Sequence, residues 1–144
     1  MAAGCVVLRR QNYNSLLFHP SQITNYQQIM NWNQLETADQ LAIIKQESFE
    51  HPVLILKHST TCSISATALG RLERSWKSEE VANLKPYYLD LLRHRPISQQ
   101  IATEFDVQHE SPQVLVISNG KSVYDVSHFE IRFDQIKASL LALA

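Results

Sequence analysis

Apolar and polar positions along the chain follow two periods, and the changes from one to the other predict its elements. Thr37 to Gln40 has the Thr-x-x-Gln form of a capping box, and Leu41 and Ile44 follow on one helical face, so a helix is expected to about Ser48. His51-Pro52 ends it, and Val53 to Leu56 is a continuous apolar run of the kind found in strands covered on both faces. Ile64, Ala68, Leu72 and Trp76 then form a single stripe at helical spacing. A polar connection from Lys77 to Ala82 leads to Tyr87–Leu92, whose aromatic and apolar content reads as a strand.

Pro96 suits a helix start, and Ile97, Ile101 and Phe105 give that helix an apolar face. After Ser111-Pro112 comes the apolar run Gln113–Ile117, and Asn119-Gly120 is a strong signal for a hairpin into a returning strand at Ser122–Val126. Phe129, Phe133, Ile136, Leu140 and Leu143 are spaced as the inner face of a closing helix. The order predicts an α/β protein with a central four-stranded mixed β-sheet and helices on both faces. Parallel neighbours need right-handed crossovers, whereas the hairpin strands must be antiparallel.

Composition narrows the function classes. With 144 residues the chain has material for one domain and a sizeable core. A net charge of −1 argues against a dedicated nucleic-acid partner, which usually requires a basic face. No apolar run approaches the roughly 18 residues of a membrane helix, so a soluble protein without a membrane partner is expected. Residues 1–30 differ from the rest, with Arg9 and Arg10 but no acidic residue before Glu36. They are expected to form a poorly ordered N-terminal extension, with the domain spanning 31–144.

Two cysteines, Cys5 and Cys62, make neither a disulfide framework nor a four-ligand zinc site, which points to a reducing, cytoplasmic compartment. Cys62 follows the first long strand and a polar loop, where a helix begins. A thiol there meets unpaired backbone N–H groups and the positive end of the helix dipole, both of which favour thiolate. A small buried core residue is the plainer reading of a free cysteine. His58 could raise the local positive potential or act as an acid, or could be an ordinary surface histidine. Thr61 could cap the helix, and Ser65 in its first turn could donate a hydroxyl to the sulfur. Joining Cys62 to His58 and His109 matches no metal-binding spacing, so no metal is expected.

The element order, the cysteine after the first strand and the Ser-Pro before the hairpin together resemble the thioredoxin superfamily. More narrowly, Thr61-Cys62-Ser63-Ile64-Ser65, Tyr88-Leu89-Asp90-Leu91, Arg95-Pro96-Ile97-Ser98 and His109-Glu110-Ser111-Pro112-Gln113 resemble the bacillithiol-system YtxJ family, the monothiol bacilliredoxins. That resemblance runs from about Asn31 to the C-terminus and implies a thioredoxin-like fold. It makes Cys62 the redox nucleophile, puts Ser65 where dithiol relatives carry a resolving cysteine, and makes the Ser111-Pro112 bond cis as a docking edge for the substrate disulfide.

The activity implied is monothiol thiol-disulfide exchange that reduces protein–bacillithiol mixed disulfides. Its partners would be S-bacillithiolated client proteins and the small thiol, with no bound cofactor and bacillithiol as co-substrate. The malate of that thiol calls for a cation near the site, with Arg95, Arg93, Lys57 and His58 as candidates. Glutaredoxins, which resemble the Thr60-Thr61-Cys62 loop, commonly carry a lysine three residues before the cysteine; Ser59 stands there, which disfavours glutathione. The alternative is an adaptor that docks partners at the Pro112 edge without turnover.

Overall fold

Two neighbouring residues, Lys57 and His58, end the central strand and point into opposite layers of the molecule. The computed structural model describes residues 30–144. The expected extension lies outside them apart from Met30, which is buried in the core. In chain order the elements are β1 (Asn33–Gln34), α1 (Ala38–Glu47), β2 (Val53–His58), α2 (Ser63–Ser75), β3 (Lys85–Asp90), α3 (Arg95–Glu104), β4 (Gln113–Ser118), β5 (Lys121–Ser127) and α4 (Phe133–Leu141). Short 3-10 turns at Ser78–Glu80 and His128–Glu130 join α2 to β3 and β5 to α4.

Among the described residues the sheet has five strands, not four, in the order β1-β3-β2-β4-β5. The additional strand is two polar residues long, pairs parallel to β3 and is extended by the Leu35 N–H donating to Tyr88 O at 2.8 Å. So short a run has no period to read. β2 and β3 are parallel, while β2–β4 and β4–β5 are antiparallel.

Every residue of β2 and β4 is buried, as the continuous apolar runs require of strands with both faces covered. Leu54, Leu56, Val114 and Val116 pack against Ala68 and Leu72 of α2 and Phe133 and Ile136 of α4. Val53, Ile55, Leu115 and Ile117 pack against Leu41 and Ile44 of α1 and Ile97 and Ile101 of α3. Alternation therefore puts His58 on the α2 side and Lys57 on the α3 side.

Local signals set most boundaries. Both bonds of the capping box form: Gln40 N–H donates to Thr37 Oγ1 at 3.3 Å, and Thr37 N–H to Gln40 Oε1 at 3.0 Å. Asn119 and Gly120 both have positive φ, as a two-residue hairpin between right-twisted strands demands. β3 begins and ends two residues earlier than the Tyr87–Leu92 expectation. Asp90 Oδ1 accepts from the Leu92 and Arg93 N–H groups at 3.1 and 3.3 Å, an Asx turn that stops the strand. A register shift lies between Val116 and Ile117 where β4 meets edge strand β5.

The closing helix is shorter than its apolar stripe suggested. Phe129 lies outside it and is 71% exposed. Arg71 of α2 explains this: its Nη2 donates to the carbonyls of His128, Phe129 and Ile131 at 3.3, 3.2 and 3.0 Å. Those carbonyls bond to a neighbouring helix, and His128 takes a φ of 54°, so the 3-10 turn does not run on into an α-helix until Phe133.

Candidate active site

The site is assembled at the end of the sheet where β2 finishes and β4 begins. Lys57 pairs with Gln113 in register, so the Ser59–Cys62 loop leaves and the Gln108–Pro112 loop enters at the same edge. Cys62 is the N-cap residue of α2, in extended geometry, with its N–H donating to Ser59 O at 3.2 Å and its carbonyl accepting from Ala66 N–H at 3.0 Å. N-cap side chains are usually oxygen acceptors for the helix's first N–H groups. Here that place is held by a half-buried sulfur whose side chain makes no cap bond. The cap is therefore Cys62 itself and not Thr61, which is exposed one residue earlier.

Below the sulfur-bearing residue, Ser65 is fully buried. Its Oγ accepts from Ser59 N–H at 3.0 Å and lies 2.7 Å from His58 Nδ1. This corrects the surface-histidine expectation, and with it the role of His58 in substrate binding: His58 is 5% exposed and packs against Tyr88 with ring centroids 5.5 Å apart. Burial pushes its pKa below the ordinary histidine value, opposed by the carboxylates of Asp90 and Glu73 and by the Ser65 bond. Glu73 is itself held by Trp32, whose indole N–H donates to it at 2.9 Å.

On the other face, Lys57 has no exposed surface at all, which removes it from the candidates for touching a substrate carboxylate. Its Nζ donates to Gln113 Oε1 at 2.9 Å and to His109 Nδ1 at 2.7 Å. Desolvation lowers the Lys57 pKa to about 8, partly offset by the Glu110 carboxylate. Gln113 in turn donates from Nε2 to Gln108 O at 2.9 Å and accepts from Glu110 N–H at 3.3 Å. Polar residues inside two wholly buried strands were the sequence signal for this network, because such groups need partners.

The Ser111-Pro112 peptide bond is cis. Pro112 is buried, its carbonyl accepts from His128 N–H at 3.1 Å, and Ser111 Oγ is buried without a hydrogen-bond partner among the described residues. Phe129 follows His128 on the backbone that Arg71 fixes. Arg95 and Arg93 are exposed, at the first residue of α3 and in the turn before it. They remain the candidate cations at this end of the sheet that solvent can reach. Among the described residues Cys62 is the only cysteine, and no group of three or more His, Cys, Asp and Glu is placed to hold a metal ion. Cys5 lies outside the described residues.

A family model described as monothiol bacilliredoxin BrxC matches residues 33–136. Among solved structures, a candidate oxidoreductase with a thioredoxin fold is 32% identical, with a TM-score of 0.64 over 74% of this chain and 90% of its own. Thioredoxin from Malassezia sympodialis is 14% identical, with a TM-score of 0.61 over 77% of this chain and 89% of its own. Thioredoxin from Trypanosoma brucei brucei is likewise 14% identical, with a TM-score of 0.60 over 80% and 92% of the two chains. The last two share the fold, and the expected thioredoxin-like architecture is thereby established with one strand more than anticipated.

Proposed function

The chain belongs to the monothiol bacilliredoxin family, and from that premise we propose that it is a thiol-disulfide oxidoreductase that removes bacillithiol from client proteins through Cys62. The observation that carries this reading is the pairing of a half-buried thiol at the N-cap of α2 with a buried serine, Ser65, one helical turn on. Thioredoxin-fold support for a thiol oxidoreductase is general, whereas serine in place of a second thiol at position 65 points to monothiol chemistry at this helix start.

The Cys62 thiolate attacks the bacillithiol sulfur of a protein–bacillithiol mixed disulfide. A new disulfide joins Cys62 to bacillithiol as the old one breaks, and the client cysteine leaves as a thiolate that water protonates. A second bacillithiol, as thiolate, attacks the bacillithiol sulfur on Cys62, forming oxidised bacillithiol and releasing the Cys62 thiolate. The helix start stabilises the anion at both stages, as nucleophile and as leaving group. Exposed Arg95 and Arg93 supply positive charge for the malate carboxylates, and Ser111-Pro112 supplies the edge on which the disulfide lies. The thiol-dependent cycle fits a reducing cytoplasm.

The test is reduction of a model protein carrying a bacillithiol mixed disulfide, comparing the native chain with Cys62→Ala. Equal rates would sink the reading. Intact-mass measurement after exposure to oxidised bacillithiol, and separately to oxidised glutathione, should give one bacillithiol adduct on Cys62 and a smaller yield with glutathione.

A further inference from the structure

A lysine with no exposed surface, placed at the active end of the sheet, has no part in the exchange just described. Lys57 cannot reach a substrate, and among the described residues no carboxylate takes its charge in an ion pair. Its bonds run to Gln113 at the start of β4 and to His109 in the loop before it. Gln113 extends the connection to Gln108 O and Glu110 N, so three residues of the Gln108–Pro112 loop are tied to one buried amine. The same loop carries Ser111-Pro112.

From this geometry we infer that Lys57 is a positioning residue for substrate binding, holding the Gln108–Pro112 loop against the Cys62 edge through His109 and Gln113. An ammonium has donors only, so the Lys57–His109 bond requires a lone pair on Nδ1 and fixes the neutral imidazole with its proton on Nε2. Ser98 of α3 approaches the same nitrogen at 3.3 Å.

Protonation of His109 removes that lone pair and sets two cations face to face, so the bond must break. The charged and titratable groups around the imidazole are Lys57 from β2 and Glu110 from its own loop, with His128 beyond, 3.9 Å from Glu110. Burial and the neighbouring Lys57 push the His109 pKa down, opposed by Glu110. The loop is therefore held at neutral pH and released only below the ordinary histidine range. This inference rests on the proposed exchange for its kinetic readout and on the free protein for its structural one.

The decisive comparison is Lys57→Met and His109→Asn against the native chain. Lys57→Met should raise KM for the protein–bacillithiol mixed disulfide roughly tenfold while kcat changes less than about twofold, the split expected when binding geometry is lost and chemistry is kept. In the native chain KM should rise on going from about pH 7.5 to about pH 5.5. In His109→Asn, which keeps an acceptor at the Nδ1 position but cannot titrate, the ratio of the two KM values should fall to about one.

A folded Lys57→Met protein with native KM overturns the inference. So does a decline in Cys62 alkylation by iodoacetamide that matches the decline in turnover, since Lys57 would then act on the sulfur. If Lys57→Met does not fold, the exposed His109 still provides the test, and an undiminished acid rise in His109→Asn overturns the inference. Should the native chain show no turnover above Cys62→Ala, the functional reading fails separately. The side-chain amide resonances of Gln113 then decide, because they should follow the His109 titration in the native chain and lose that midpoint in His109→Asn.

Discussion

Ser65 Oγ lies 2.7 Å from His58 Nδ1 while accepting the Ser59 N–H, so one buried hydroxyl joins the last residue of β2, the loop after it and the first turn of α2. A single hydrogen occupies the space between Ser65 and His58. With the imidazole proton on Nε2, Ser65 donates to His58; with it on Nδ1, Ser65 accepts twice and its own hydrogen is released toward other partners. The residue in the place of a second thiol is thus a structural hub.

Ser65→Ala should cost about 1–3 kcal/mol, because it leaves a buried N–H and a ring nitrogen without partners. Denaturant unfolding followed by circular dichroism measures it. Ser65→Cys should instead change the chemistry. Residues three apart in a helix turn are close enough to bridge, so oxidation should join the introduced thiol to Cys62 and yield a chain lighter by two hydrogens. Recovery of only intermolecular adducts from this variant would contradict the placement of Ser65.

The buried His58 makes stability fall in acid. Its folded-state pKa is lowered, chiefly by burial, so its contribution is complete above the ordinary histidine value and is lost as pH drops through the lower folded value. The unfolding free energy of the native chain should therefore decline relative to that of His58→Asn between about pH 7.5 and pH 5. A constant difference across that range would mean His58 is solvated.

Lys57 acts in the same direction in an alkaline window. Its pKa is lowered to about 8 from the ordinary 10.5, so between those limits the unfolded chain holds a proton that the folded chain has released, and stability rises with pH. Relative to Lys57→Met, the native chain should gain on the order of 3 kcal/mol across the window, read from denaturant midpoints at matched ionic strength. No relative gain above about pH 8 would contradict burial of the amine.

Arg71 and Phe129 separate stability from recognition. Arg71→Met removes donors from the carbonyls of His128, Phe129 and Ile131 and should cost about 1–3 kcal/mol. Phe129→Ser, at an exposed position, should alter stability by less than about 0.5 kcal/mol. In the proposed cycle it should raise KM for a protein mixed disulfide and leave KM for reduced bacillithiol unaltered, since only a protein client is large enough to reach the exposed ring next to His128, whose N–H donates to Pro112 O.

Much of the fold was legible because its strands are either wholly buried or bounded by strong turn chemistry. Val53–Leu56, Gln113–Ile117 and Asn119-Gly120 all formed the elements that their patterns predict. Cys62 at a helix start was legible for the same reason. The two-residue β1 was not, since nothing in Asn33-Gln34 has a period. Phe129 was misplaced because Arg71, distant in sequence, overrides local helical spacing.

Residue type favours exposure for His58 and Lys57, and their burial follows only from their place at the end of a strand covered on both faces. Their partners, Ser65 and Gln113, were in view, yet a polar pair inside a core is legible only when both members are assigned to facing positions.

The sheet's two margins carry a consequence for the proposed exchange, in which a client chain must dock at Cys62 and then leave. One margin is finished by the two residues of β1, and the other, β5, carries Lys121 and Asp125 and meets its neighbour through a register break. Short, charged or irregular margins deter another sheet from adding to them. In the proposed cycle each client can then depart once Cys62 has taken its bacillithiol, because the backbone offers it little to keep hold of.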